Sequence, residues 1–227
     1  MGDRNVKIKG QLDFANIRTY SVSKRRNLVT IENMAVPGTN DDSGWESEGF
    51  DELINRIVLA RKNRRPVIWS MGAHVIKNGL SRYIIELVKR GLVTHITGNG
   101  AVSIHDFELA FLGGTSEDVP TAIEDGSFGM WEETGRWMNE AIQVGAKEGM
   151  GYGESLAVYI EKNPERFPHK NDCVLYQAYK NGVPATYHIA LGTDIIHQHP
   201  IVDFAAIGAA SGVDFHKMCY SVSKLDV

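Results

Sequence analysis

The stretch "ALGTDIIHQHP" places a carboxylate and two imidazoles, Asp194, His197 and His199, within six positions. Those groups suit proton transfer or metal ligation, and the two-residue spacing puts both histidines on one side of an extended segment. Two histidines without a third ligand fixed by spacing leave a metal shell incomplete, and Asp194 could equally cap a following helix. A second stretch, "VTHITGNGAVSIHDFELAFLGGTSED", carries Gly98 and Gly100, the first two glycines of a dinucleotide fingerprint, with Ser103 at the third small position. Such glycines let backbone N–H groups approach a phosphate, and they serve a plain turn just as well. In the third stretch, "SMGAHVIKNGL", Gly72 and Ala73 follow an apolar run.

The elements that must position these residues alternate. Residues 47 to 63 have Phe50, Leu53, Ile54, Ile57 and Val58 at helical spacing, and "PVIWSM" has the short apolar run of a buried strand. "NGLSRYIIELVKRG" predicts a helix stopped by Gly91, and "LVTHIT" a second strand. Helices are expected through "IHDFELAFLG", at 131 to 147, 153 to 162 and 171 to 181, followed by the strand "PATYHIAL". Strands alternating with helices imply an α/β fold, a parallel Rossmann-like sheet with helices on both faces. In such sheets ligands sit at the carboxyl ends of the strands, where all three stretches fall.

Residues 1 to 44 break the pattern with a basic patch, Lys24, Arg25 and Arg26, and the loop-like "VPGTNDDSG". They are expected to form an arm before a domain at 45 to 227, and the patch to be a solvated face. The acidic run "SEDVPTAIEDGSFGMWEETG" reads as a loop or lid, with Trp131 and Trp137 as packing residues. With 227 residues and a formal net charge of −4, the chain has a single large core and no whole-domain attraction to nucleic acid or anionic membranes. Two cysteines, Cys173 and Cys219, make no disulfide framework, and no apolar run approaches a membrane span. A cytoplasmic location is expected.

The residues "MGAHVIKNGLSRYIIELVKRGLVTHITGNGAVSIHDFE" and then "NDCVLYQAYKNGVPATYHIALGTDI" resemble deoxyhypusine synthase over residues 66 to 200, more loosely between Gly113 and Glu154. The resemblance implies an NAD-binding Rossmann-like domain in a homo-oligomer, a tetramer in that family. It also implies a spermidine-like amine substrate whose aminobutyl group passes through an enzyme lysine to a protein lysine. It puts Ala73, His74, Thr97, Gly98, Asn99, Gly100 and Asp194 at NAD. Asp106, next to His105, stands in place of the family's acidic pair, and His199 stands where the family has an acid that holds an ammonium. The family's imine lysine has no counterpart before Val227, which suggests a C-terminally incomplete domain; Lys77, Lys217 and Lys224 are the lysines at hand.

The expectation that follows is an NAD-dependent transferase with Asp106, His197 and His199 as catalytic residues, a small-molecule amine as substrate, no nucleic-acid or membrane partner, and no resident metal. Two alternatives remain beside it. One is a non-catalytic NAD-binding module of the same fold; the other is a metal-dependent enzyme using Asp194, His197 and His199.

Overall fold

A computed structural model describes residue 10 and residues 12–39 and 46–225. The expected boundary between residues 44 and 45 lies outside the described residues. The fold is α/β. Its central sheet is parallel, with β2 (Ile68–Ser70), β3 (His95–Gly98) and β5 (Ala185–Tyr187) in the order β2-β3-β5. Register pairs Trp69 with Ile96 and Thr97 with Thr186. The strands are shorter than the apolar runs that announced them.

Alternation along β3 shows that both faces of the sheet are covered. His95 points to one face and bonds Ser221 of α9 (Phe204–Val222), while Ile96 points to the other and is wholly buried. Helices α4 (Gly100–Leu112), α7 (Tyr152–Lys162), α8 (Val174–Lys180) and α9 all contact the sheet. α2 (His74–Lys77) and α3 (Ser81–Lys89) connect β2 to β3. α6 (Glu132–Lys147) packs on α7 and α9. The core is aromatic and aliphatic, with Phe107 edge-on to Phe167 at 5.0 Å between ring centres.

Buried carboxylates lock these helices. Asp106, expected in the catalytic set, lies wholly inside and accepts from Val174 N at 2.9 Å and Leu175 N at 2.7 Å, satisfying orphan donors of α8. Burial pushes its pKa up to about 6 against those bonds. Asp214 of α9 accepts from Gly153 N and Tyr187 N, joining α7 and β5. His95, between Ser221 and Thr186, has its pKa lowered to about 4 by burial.

Several elements differ from the sequence expectation. β1 (Asn27–Thr30) and β4 (Gly114–Glu117) form an antiparallel pair, with Val29 opposite Thr115, which ties the N-terminal segment to the body. Tyr20 adds two backbone bonds to Met130 and Glu132. α5 (Val119–Asp125) occupies part of the acidic run. α1 (Glu48–Lys62) forms where expected, yet none of its residues is buried, so its apolar stripe stays outside the core. Arg61 near its end fastens it by donating to Gly91 O at 2.7 Å and Arg65 O at 2.6 Å. No helix among the described residues is long and apolar enough to cross a membrane.

Candidate functional site

The carboxyl ends of the parallel strands carry the small residues expected there. Beyond β2, Gly72 faces open space; beyond β3, Asn99 caps α4, its side chain accepting from Val102 N. Beyond β5, Gly192 has φ +91, a left-handed conformation that glycine adopts without steric cost. Ala73 is half-buried and His74 and Asn99 are exposed, whereas Thr97 is buried within β3.

Gly100 is required for a different reason from the one the motif suggests. Its φ is not positive. A Cβ built on it would lie 1.8 Å from Asp194 Oδ2, so the carboxylate rests directly on the first residue of α4. The carboxylate packed on the first residue of this helix is therefore the protein's own. Asp194 is 9% exposed at its side chain, Oδ2 has no hydrogen-bond partner among the described residues, and burial raises its pKa to about 6.

His197 and His199 do not share a face. The segment folds into a 3-10 turn, Ile195–Gln198, and His197 Nδ1 accepts from Gly192 N at 3.1 Å and Asp194 N at 3.2 Å. Its proton is thereby fixed on Nε2, which stands 3.9 Å from Asp194 Oδ2. Burial lowers the pKa of His197. His199 turns to α6 and pairs with Glu132 Oε2 at 3.2 Å, with its ring packed on Gly135. It is thus a buried, hydrogen-bonded group packed on α6, and burial lowers its pKa. The described residues contain no group of three or more His, Cys, Asp or Glu that could hold a metal, so the Asp194/His197/His199 centre does not assemble.

Asp194 instead faces a cavity of about 220 Å³ that the sequence reading did not assemble. Its other polar lining includes Arg25, Lys77, His105, Glu108, Ser116 and Glu117. Arg25, read as part of a solvated patch, is 3% exposed at its side chain and donates from Nη1 to Glu108 at 2.6 Å and from Nε to Asn27 at 2.9 Å. Its neighbours Lys24 and Arg26 are exposed. The Trp131 ring lies beneath the guanidinium at 5.6 Å, and Trp131 Nε1 donates to Glu117. Burial raises the pKa of Glu117. Arg25 Nη2 and Ser116 Oγ, like Asp194 Oδ2, are buried without a partner among the described residues. Ser116 also has φ +63, rare for a residue with a side chain.

No family model matches the chain, and no curated protein matches it. Solved structures similar to it include arginine dihydrolase ArgZ of the ornithine-ammonia cycle in cyanobacteria (15% identity, 78% of this chain, 22% of that one, TM-score 0.48). AgrE in a ternary complex with ornithine and NAD+ is 16% identical over 79% of this chain and 24% of its own, with TM-score 0.46. A conserved putative LOR/SDH protein from Methanococcus maripaludis S2 is 17% identical over 83% of this chain and 52% of its own, with TM-score 0.48. The chain thus spans between about a fifth and a half of these structures' lengths. Likeness at this level assigns no activity or residue role. The similar structures are ArgZ, AgrE and a putative LOR/SDH protein, not deoxyhypusine synthase, so the expected relationship to that family, with its aminobutyl transfer, does not hold. Its motifs are glycine-bearing strand ends, which parallel sheets of many functions share.

Proposed function

We propose that the chain is an NAD-dependent enzyme that oxidises a small polar substrate held in the cavity between Arg25 and Asp194. The supporting observation is the set of three buried polar atoms without partners, Arg25 Nη2, Ser116 Oγ and Asp194 Oδ2, among the residues of one cavity. Buried polar groups in folded proteins are nearly all satisfied, so three such atoms on residues of one cavity support a polar ligand as their partner. The cavity is smaller than the ~300–1,000 Å³ of drug-sized sites, which favours a compact substrate.

NAD suits the adjoining strand ends. Gly72 and Gly192 leave room for close approach, with Ala73, His74, Thr97, Gly98 and Asn99 along the same edge and Gly100 under Asp194. Asp194 offers an acceptor to a ribose hydroxyl or to a substrate ammonium. When bound, NAD supplies a two-electron acceptor for a substrate C–H bond. The chain's part is to bind both ends of a polar substrate: Arg25 Nη2 and Ser116 Oγ donate to an anionic or carbonyl group, while the ionised Asp194 accepts from a hydroxyl or amine.

The test is NADH formation, followed by absorbance with the full chain, NAD and a panel of small hydroxy acids, amino acids and diamines. At least one amine or alcohol should be oxidised. Asp194 loses its charge as pH falls through about 6, so the KM for a cationic amine is expected to rise about tenfold or more below that pH. No NADH from any panel member would contradict the enzymatic reading.

A further inference from the structure

We propose that His105 is the proton acceptor of the cavity, held in that role by Thr115 and Glu108; the proposal rests on the cavity being the substrate site. The arrangement follows from donors and acceptors. Glu108 is paired with the Arg25 guanidinium and also accepts from Thr134 Oγ1 at 2.9 Å, so its carboxylate is an acceptor. Thr115 Oγ1 lies 2.6 Å from Glu108 Oε2 and must donate its single proton there. The same oxygen lies 2.6 Å from His105 Nδ1, and with its proton committed it can only accept. The His105 proton is therefore on Nδ1, and Nε2 carries a lone pair on a residue that lines the cavity.

No hydrogen bond to Nε2 forms among the described residues. Charges from every neighbouring element bear on the ring: Glu108 on the same helix favours the cation, while Lys77 and His74 of α2 and Arg25 of the N-terminal segment oppose it. Burial, the largest influence, also lowers the pKa, so the ring is neutral at neutral pH. A neutral imidazole with a fixed tautomer and a free nitrogen at a substrate cavity is the requirement for a general base.

In the balanced step the substrate O–H or N–H bond breaks and its proton moves to His105 Nε2. Bound NAD would supply the two-electron acceptor that takes the C–H hydrogen with its electron pair, so that with the proton on His105 the oxidised substrate is left with a C=O or C=N bond. Thr115 and Glu108 are positioning residues; they touch the base and not the substrate.

Side-chain 15N NMR of the full chain at neutral pH, without NAD or substrate, reads the tautomer. His105 should show a protonated Nδ1 and a bare Nε2. Thr115→Val should shift the population toward protonated Nε2, and Thr115→Ser, which keeps the hydroxyl, should restore the parent pattern. With a substrate found in the NADH assay, His105→Gln should lower kcat about 100-fold or more at unchanged NAD affinity, and Thr115→Val should displace the acid limb of the pH profile. A parent His105 with its proton on Nε2, or a His105→Gln variant with undiminished kcat, overturns the proposal. Failure to reduce NAD with any substrate overturns the functional reading instead and leaves the tautomer result to stand by itself.

Discussion

Arg25→Met is expected to cost about 3–5 kcal/mol of folding stability, because it strands Glu108 as a buried charge without its partner. Glu108 is 1% exposed at its side chain and would keep only Thr115 and Thr134 as donors. Methionine nearly matches the arginine stem, so the loss reports charge and hydrogen bonding more than volume. Arg26→Met, by contrast, should change stability by less than about 0.5 kcal/mol, since Arg26 is 79% exposed and reaches Asp118 only at 3.8 Å. Urea unfolding of both variants decides the matter. A loss under about 1 kcal/mol in Arg25→Met would mean that the N-terminal segment does not seal this cavity.

Gly100→Ala should displace Asp194. The added methyl would stand 1.8 Å from Oδ2 and 2.4 Å from Cγ, so the short aspartate side chain must swing away from the helix end. The expected cost is about 1–3 kcal/mol from overpacking, together with weakened binding at the strand ends. Adding Asp194→Ala to Gly100→Ala should recover much of the stability, giving a coupling of about 0.5–3 kcal/mol in a double-mutant cycle. Additive effects would show that Asp194 does not rest on Gly100. Binding should stay weak in the double variant, because the acceptor is gone.

The presence of β3 and α4 was legible in the sequence because local chemistry determines it, an apolar run and then helical spacing, although α4 begins at Gly100, ahead of the expected "IHDFELAFLG". The parallel α/β class followed from the same periodicity. What escaped were partnerships across the chain. Arg25 meets Glu108 from 83 positions away, and its own neighbours Lys24 and Arg26 face solvent, so a run of three basic residues concealed one buried cation. Spacing set His197 and His199 side by side in an extended segment; the 3-10 turn sends one to backbone amides and the other to α6. Asp106 next to His105 looked like the chemical residue of the pair, but successive positions on a helix face different directions, and it is His105 that lines the cavity. Nothing in the sequence marks Ser116 as a left-handed residue. α9 went unread because Gly208 and Gly212 in its first turns, "FAAIGAASG", oppose a helix and break up the apolar spacing, although the alanines there favour one.

The most direct measurement is calorimetric titration of the folded full chain with NAD at pH 8, where Asp194 is ionised, alongside Asp194→Asn. Saturable heat and an NAD-dependent rise in Tm are expected for the parent, with affinity about tenfold weaker in Asp194→Asn. A folded parent chain that gives no heat and no thermal stabilisation with NAD would contradict a nucleotide site at the ends of β2, β3 and β5.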